Sequence, residues 1–457
     1  MATAMLLARD GHDVSVLERD AEAVPESVDE AWTTWARAGV VQFRQPHFLQ
    51  ARVRHVLDAE LPDIRDALIE AGAARVDAMA RIPPAIADRE VRPGDDRFVS
   101  ITARRPTVEY VVARAAENEP RVTVRRGVEA GALTTRRLDG IPHVTGVRTR
   151  AGEELRADLV VDAMGRSSPL PRLLAEAGTP PLYEEAEDCG FIYYTRFFRS
   201  ADGRCPEPRT PGLLTPVGSF SILTLPSDCD TWCVTFFVAS GDQPLKRLRH
   251  ADRWTAVVRA CPLHAHWLDG EPITDVLPMA GVLDRYRRLV SAGKPVATGL
   301  VLVGDAWACT NPSLARGLAL GLGHAARLRD VVRTQLDYPV ELVEAWDAVT
   351  EEEFMPWYRA TVATDRARLA EMEAIRSGVE RPPPDDAASA VRARFPVAAG
   401  RDPDLFRAFM EIVGCLTLPV DVFARPGLAE RVLELVGPDE LSPAPGPTRA
   451  DLLELLS

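Results

Sequence analysis

The stretch Leu300-Val301-Leu302-Val303-Gly304-Asp305-Ala306-Trp307-Ala308-Cys309-Thr310-Asn311-Pro312-Ser313-Leu314-Ala315-Arg316-Gly317 decides the fold. Residues 300–303 are an apolar run that reads as a buried strand ending on Gly304-Asp305. Asn311-Pro312 marks a turn. A Gly/Ala/Leu-rich helix follows, starting near Pro312, and Gly317 lets its backbone lie close to whatever sits at its start. This order sets one carboxylate at a strand end with a helix N-terminus beside it. The pair suits a ligand that has both hydroxyl groups and an electron-rich head stabilised as an anion.

The same strand-end pattern recurs outward from this stretch. Residues 2–9 are helix formers, Asp10-Gly11 stops them, and residues 13–17 alternate into a strand that ends at Glu18-Arg19. That is the back half of a βαβ dinucleotide unit, in which the acidic residue after the second strand takes ribose hydroxyls. Residues 98–102 read as a strand, Pro106 suits the first turn of a helix, and 122–126 read as a further strand. Leu159-Val160-Val161-Asp162-Ala163-Met164-Gly165-Arg166-Ser167-Ser168 is again a buried strand ending on an Asp and a Gly.

Over about residues 1–340 the chain resembles the FAD-dependent monooxygenases of the p-hydroxybenzoate hydroxylase type. Gly304-Asp305-Ala306, Pro312 and Gly317 match that family's second flavin-binding motif. The resemblance implies that Asp305 binds the ribityl chain, and that the helix start, with Gly304, Pro312, Gly317 and Leu318, faces the flavin pyrimidine ring. It implies that Glu18 and Arg19 lie at the adenosine ribose, that the backbone near Val128 meets adenine, and that Arg105 reaches the cofactor's phosphates. Arg105 with Val108 matches the family's Arg-x-x-Leu-like helix start, and an Arg there opposes the helix dipole, which sits poorly with a purely structural role. Asp162 and Gly165 match the middle motif in the Asp-Ala-x-Gly-Arg-x-Ser form seen in epoxidase-like members. Arg44, Gln42 and His47 lie in a segment that can approach the flavin ring, with a surface or helix-entry role the favoured reading for His47.

Counting back from Glu18 runs past Met1, so the first strand and the Gly-x-Gly-x-x-Gly loop are missing from the sequence. We read this as a start set at an internal Met, since the remaining motifs are intact; the other reading is a chain that has lost its phosphate cradle.

Composition narrows the class. The chain has 457 residues, 46% hydrophobic and 26% charged, as in globular proteins with sizeable cores. Its net charge of −13 gives a nucleic-acid role no electrostatic support. Only Lys246 and Lys294 are lysines among 54 basic residues, which reads as an arginine bias of coding rather than a binding device. Seven cysteines lack metal-site spacing, so reduced thiols and no bound metal are expected. No window is apolar enough for a membrane span, and residues 1–8 lack the basic region of a signal peptide. A cytoplasmic protein, monomer or homodimer, follows.

From 188 to 275 the pattern turns β-branched and aromatic, as at 191–198, 219–225 and 231–238, with a hairpin turn at 227–230. Beyond Tyr338 it is helical: 340–377 with a break near Pro356, a loop at 382–386, helices at 404–415 and 428–436, and a short last helix. The expected fold is α/β: a Rossmann-like FAD-binding domain (1–75, 98–180 and 290–340), its first strand missing. It is interleaved with an antiparallel β-sheet substrate domain (76–97 and 181–289) and followed by a C-terminal helical cap (341–457).

The resemblance implies FAD, with NAD(P)H or a partner flavin reductase as electron donor. It implies hydroxylation or epoxidation of a hydrophobic small molecule by O2 through a flavin C4a-hydroperoxide, the hard chemistry belonging to the cofactor. No protein acid or base is obligatory. The aromatic middle segment fits an aromatic, isoprenoid or polyketide-like substrate of secondary metabolism. The halogenase variant of this fold needs an active-site Lys in its first part, and no Lys precedes Lys246. An FAD-dependent reductase or oxidase, and a non-catalytic remnant that binds no FAD, stay open.

Overall fold

A computed structural model describes residues 1–210, 212–379, 386–437, 440 and 444–457. Two parallel strand pairs form its nucleotide-fold part. Val14–Glu18 pairs with Val122–Arg126 in register, Val14 opposite Val122 and Glu18 opposite Arg126. Leu300–Leu302 pairs with Val160–Asp162, so Asp162 stands opposite Leu302, two residues short of Gly304. Parallel strands demand crossover helices. Ala2–Arg9, Arg105–Asn118 and Gly317–Gln335 supply the helical layer, and Met5, Val111, Leu302 and Leu328 share one core with it.

The middle part is an antiparallel sheet in the order Leu214–Val217, Phe220–Pro226, Thr231–Ala239, Phe191–Arg199, Glu271–Pro272, with Leu277–Met279 also paired to Phe191–Arg199. Its period-2 alternation divides the aromatics between two faces. Tyr194, Phe198, Phe220 and Phe236 pack with Trp254 of the helix Ala251–Arg259. Tyr193 and Phe237 point the other way, their rings 4.6 Å apart edge to face. The turn between Phe220–Pro226 and Thr231–Ala239 falls at 227–230, where the sequence predicts it, with Cys229 and Asp230 at positive φ. A third sheet sets Leu283–Arg288 between Tyr183–Asp188 and Ala308–Cys309, which ties the 304–311 loop to the middle part.

Several elements depart from the sequence reading. The excursion read at 76–97 does not join the middle sheet: Ala74–Asp77 pairs antiparallel with Val99–Thr102, and Met79, Ile82 and Phe98 pack on Phe406. Its apolar residues therefore find a partner in the C-terminal region. That region is not a single cap. Pro339–Val349 and Met355–Ser377 enter the main core through Trp346, Phe354 and Trp357, joined by a π-helical stretch at Thr350–Phe354 rather than broken at Pro356. Ala387–Ala399, Pro403–Val413 and Leu428–Leu435 have a core of their own. Arg449–Leu455 packs under the middle sheet through Leu452. Most of the loop read at 382–386 lies outside the described residues, of which Asp386 caps the helix Ala387–Ala399. A hairpin of Ala130–Leu138 and Ile141–Thr149, unread in the sequence, lies beside the second parallel pair, with the Val144 amide donating to the Thr298 carbonyl. No helix among the described residues is long and apolar enough to cross a membrane.

Candidate functional site

The two parallel pairs and the middle sheet enclose one cavity of about 1420 Å³. Glu18, Arg19, Arg105, Val128, Asp162, Gly165, Gly304, Asp305, Pro312, Gly317 and Leu318 all reach its wall. Arg44 does not: its guanidinium lies 4.9 Å over the Trp32 ring and donates to the Trp35 carbonyl at 3.3 Å. An indole face and a backbone acceptor hold that cation away from the wall.

The three strand-end carboxylates differ in what already holds them. Glu18 accepts from Arg37 at 2.7 Å on one oxygen and from the Asp20 amide at 3.0 Å on the other. Arg37 also grips Asp20 and Glu109, so it ties the strand end to the helix Arg105–Asn118. Asp162 is closed into its own turn. It accepts from the Ser168 hydroxyl at 2.5 Å and from the Met164 amide at 2.9 Å, and its carboxyl is raised above the usual range by burial. Asp305 alone of the three has no hydrogen-bond donor among the described residues. Burial raises its carboxyl too, against the pull of the Arg105 and Arg166 cations. The carboxylate is half-buried and faces the cavity, so its acceptors are open to water or to a bound hydroxyl donor.

Space is left on the cavity side of this carboxylate. A Cβ added at Gly304 or Gly165 would meet nothing within 4 Å, and one at Gly317 would meet only Asp305 Oδ1 at 4.0 Å. The helix begins at Gly317, five residues later than the sequence reading sets it, because Pro312–Leu314 forms a separate 3-10 turn. No side chain caps this helix, so its first-turn amides stay free for a ligand.

Arg105 donates to Glu109 at 2.6 Å and meets Nε2 of His47 at 3.3 Å. His47 Nδ1 bonds the Gln45 carbonyl at 2.9 Å. The arginine donates to a neutral ring, and burial drives the His47 pKa down to about 3. Arg166, on the wall beside Asp305, has no side-chain partner among the described residues. At the far end Phe48, Tyr193, Leu223, Phe237, Met279 and Val282 make an apolar floor.

Three functional features escaped the sequence reading. Arg37 carries no pattern beyond being one arginine among many, and Arg166, although it stands in the quoted Asp-Ala-x-Gly-Arg-x-Ser form, was not singled out. Arg104, next to the Arg105 that was singled out, is buried and bonds Asp228 of the middle sheet's hairpin turn. The Arg-Arg pair at a helix start held that signal, since only one of two adjacent residues there can face a cavity.

No protein-family model matches the chain. Protein Rv3254 of Mycobacterium tuberculosis is 25% identical over 335 residues, covering 70% of this chain and 68% of that protein. Three solved structures share the fold. PqsL of Pseudomonas aeruginosa, a probable FAD-dependent monooxygenase, superposes with a TM-score of 0.58 at 18% identity, over 81% of this chain and 95% of its own. The p-nitrophenol 4-monooxygenase PnpA of Pseudomonas putida gives 0.58 at 17%, over 93% and 95%. The flavin-dependent brominase Bmp2 gives 0.60 at 12%, over 95% of each. The chain therefore has the α/β fold of these FAD-dependent monooxygenases, and it ends in a helical C-terminal region.

Proposed function

We propose that the protein is an FAD-dependent monooxygenase acting on a hydrophobic small molecule, with the cavity as the site of both cofactor and substrate. The observation that carries this reading is Asp305: a half-buried carboxylate on the cavity wall without a donor among the described residues, between an uncapped helix start and open space. Those residues fit FAD. Asp305 would accept from the ribityl hydroxyls, the amides at Gly317 and Leu318 would meet the electron-rich ring edge, and Arg105 and Arg166 would face the phosphates. When bound, FAD supplies the activation of O2 and the transfer of one oxygen atom.

The chain's own contribution is binding, orientation and exclusion of water. The floor of Tyr193, Phe237, Leu223 and Met279 offers apolar area and one hydroxyl, which favours an aromatic or polyketide-like substrate over a charged one. Neutral His47 adds no charge near that floor. The brominase likeness invites halogenation as a second reading. Neither lysine of the chain lines the cavity, which favours oxygen insertion.

The test is turnover of FAD-loaded protein with NAD(P)H or a flavin reductase and a panel of hydrophobic aromatics under 18O2. Product carrying one 18O atom supports the reading. Reduction or oxidation without incorporation points to a reductase or oxidase, and overturns it.

A further inference from the structure

Between the cavity and the C-terminal helix lies a turn held under strain. Ala315 sits at φ +53°, in the left-handed region that costs a residue with a Cβ about 1–2 kcal/mol. Such a conformation persists only where the surroundings over-determine it, and here side chains from several elements do so. Asp284 accepts from the Asn311 amide at 2.8 Å, and Gln50 donates to the Leu314 carbonyl at 3.0 Å. Arg316 donates to the Thr361 hydroxyl at 2.9 Å. Ser313 donates its hydroxyl to Asp365 Oδ1 at 2.7 Å. Tyr193, on the cavity floor, donates to the Asn311 side-chain carbonyl.

Asp365 and Thr361 belong to Met355–Ser377, behind the wall, and Asp365 is 4% exposed. Resting on the reading of this cavity as an FAD site, we propose that Asp365 is a positioning residue, which through Ser313 sets the 311–316 turn, and with it the Asn311 side chain that holds the Tyr193 hydroxyl, against the flavin ring edge. Its second carboxyl oxygen has no hydrogen-bond partner, an arrangement that suits a protonated acid. Around it stand Asp284 from the strand Leu283–Arg288, Arg316 from the helix start, Tyr193 from Phe191–Arg199, and the neighbouring Cys189. Burial, with help from Asp284 and against Ser313, Asn311 and Arg316, lifts the Asp365 carboxyl to about 7. The turn's grip therefore changes across neutral pH. Below that point a neutral acid fills the site; above it a buried anion faces Asp284 and draws on Arg316.

The test uses the full chain as wild type, Asp365→Asn and Asp365→Ala, in two measurements. The first is FAD affinity and flavin absorbance from pH 5.5 to 8.5. Wild type is expected to show a pH-dependent step in both near 7, and Asp365→Asn, a mimic of the protonated acid, a flat profile at the low-pH affinity. Asp365→Ala, which strips the Ser313 hydroxyl of its acceptor, is expected to bind FAD about tenfold more weakly at all pH values. The second is stability of the FAD-free protein over the same range. A carboxyl whose pKa is raised on folding makes stability fall as pH climbs from about 4 to 7. The wild type should show that fall relative to Asp365→Asn. Superimposable wild-type and Asp365→Asn profiles with FAD bound overturn the assignment of Asp365 alone. A wild type that binds no FAD overturns the cavity reading with it, while the stability measurement still reads the carboxyl independently.

Discussion

The Gly304 amide donates to Nδ1 of His324 at 3.2 Å, so a buried imidazole twenty residues along the chain holds the turn that carries Asp305. Trp307, Trp346 and Phe354 cage the ring at centroid distances of 4.7, 5.2 and 4.2 Å. Burial drives the His324 pKa down to about 3, so the ring is neutral and free to accept. Unfolded, it returns to about 6.5. A His depressed on folding contributes stability that is complete above 6.5 and lost as pH falls toward 3. At pH 5 the loss is on the order of 2 kcal/mol, from about 1.5 units of difference. His324→Leu should remove that acid-side loss and, by leaving the Gly304 amide without an acceptor, weaken FAD binding at pH 7.5. Urea unfolding at pH 5 and 7.5 checks the first; FAD titration checks the second.

Asp228 joins the middle sheet to the nucleotide-fold part. It accepts from Arg104 Nε at 3.0 Å and Nη2 at 2.7 Å and from the Thr107 hydroxyl at 2.8 Å, with the Arg104 guanidinium lying 4.5 Å over the Trp32 ring. Both ion-pair partners are almost fully buried. Breaking such a pair strands a charge, so Asp228→Ala should cost about 3–5 kcal/mol. An Arg104→Met, Asp228→Leu double variant should lose less than the sum of the single changes. Additive losses in a double-mutant cycle would contradict the coupling.

How much of this was readable in the sequence varies with range along the chain. The strands at 14–18, 122–126 and 160–162 were legible because local periodicity and a turn signal agreed at each end. So was the clustering of Asp305, Gly317 and Arg105. The partners of Ala74–Asp77 were not, since a short apolar strand carries no mark of which sheet it joins. Nor was the difference between Asp305 and Asp162. Both end a buried strand, yet the Ser168 hydroxyl closes on one and nothing closes on the other, a distinction set by rotamers and packing. Arg44 shows the same limit: its segment reaches the cavity, while its side chain turns to Trp32.

Ala315→Gly should raise stability by about 0.5 kcal/mol. Relief of left-handed strain of about 1–2 kcal/mol outweighs the extra freedom glycine gives the unfolded chain. Thermal melting of the FAD-free protein checks it, and destabilisation would show that the Ala315 methyl packs better than the strain suggests.

All seven cysteines are unpaired, and only Cys229 is exposed. Burial pushes Cys233 and Cys261 up to about 12 and Cys205 up to about 11, which keeps them as thiols. An aromatic disulfide reagent at pH 8 should therefore label Cys229 first, with the remaining thiols reacting only after denaturation. Fast labelling of Cys309 would mean that the cavity wall opens.

The account rests on Asp305 as the cavity's free acceptor, and a titration of wild type and Asp305→Ala with FAD, followed by quenching of flavin fluorescence, reads it directly. Wild type should bind, and Asp305→Ala should bind at least about tenfold more weakly while melting close to wild type, because no hydrogen bond or ion pair within the described residues is lost with the carboxylate. Equal FAD affinity in the two proteins would contradict the assignment.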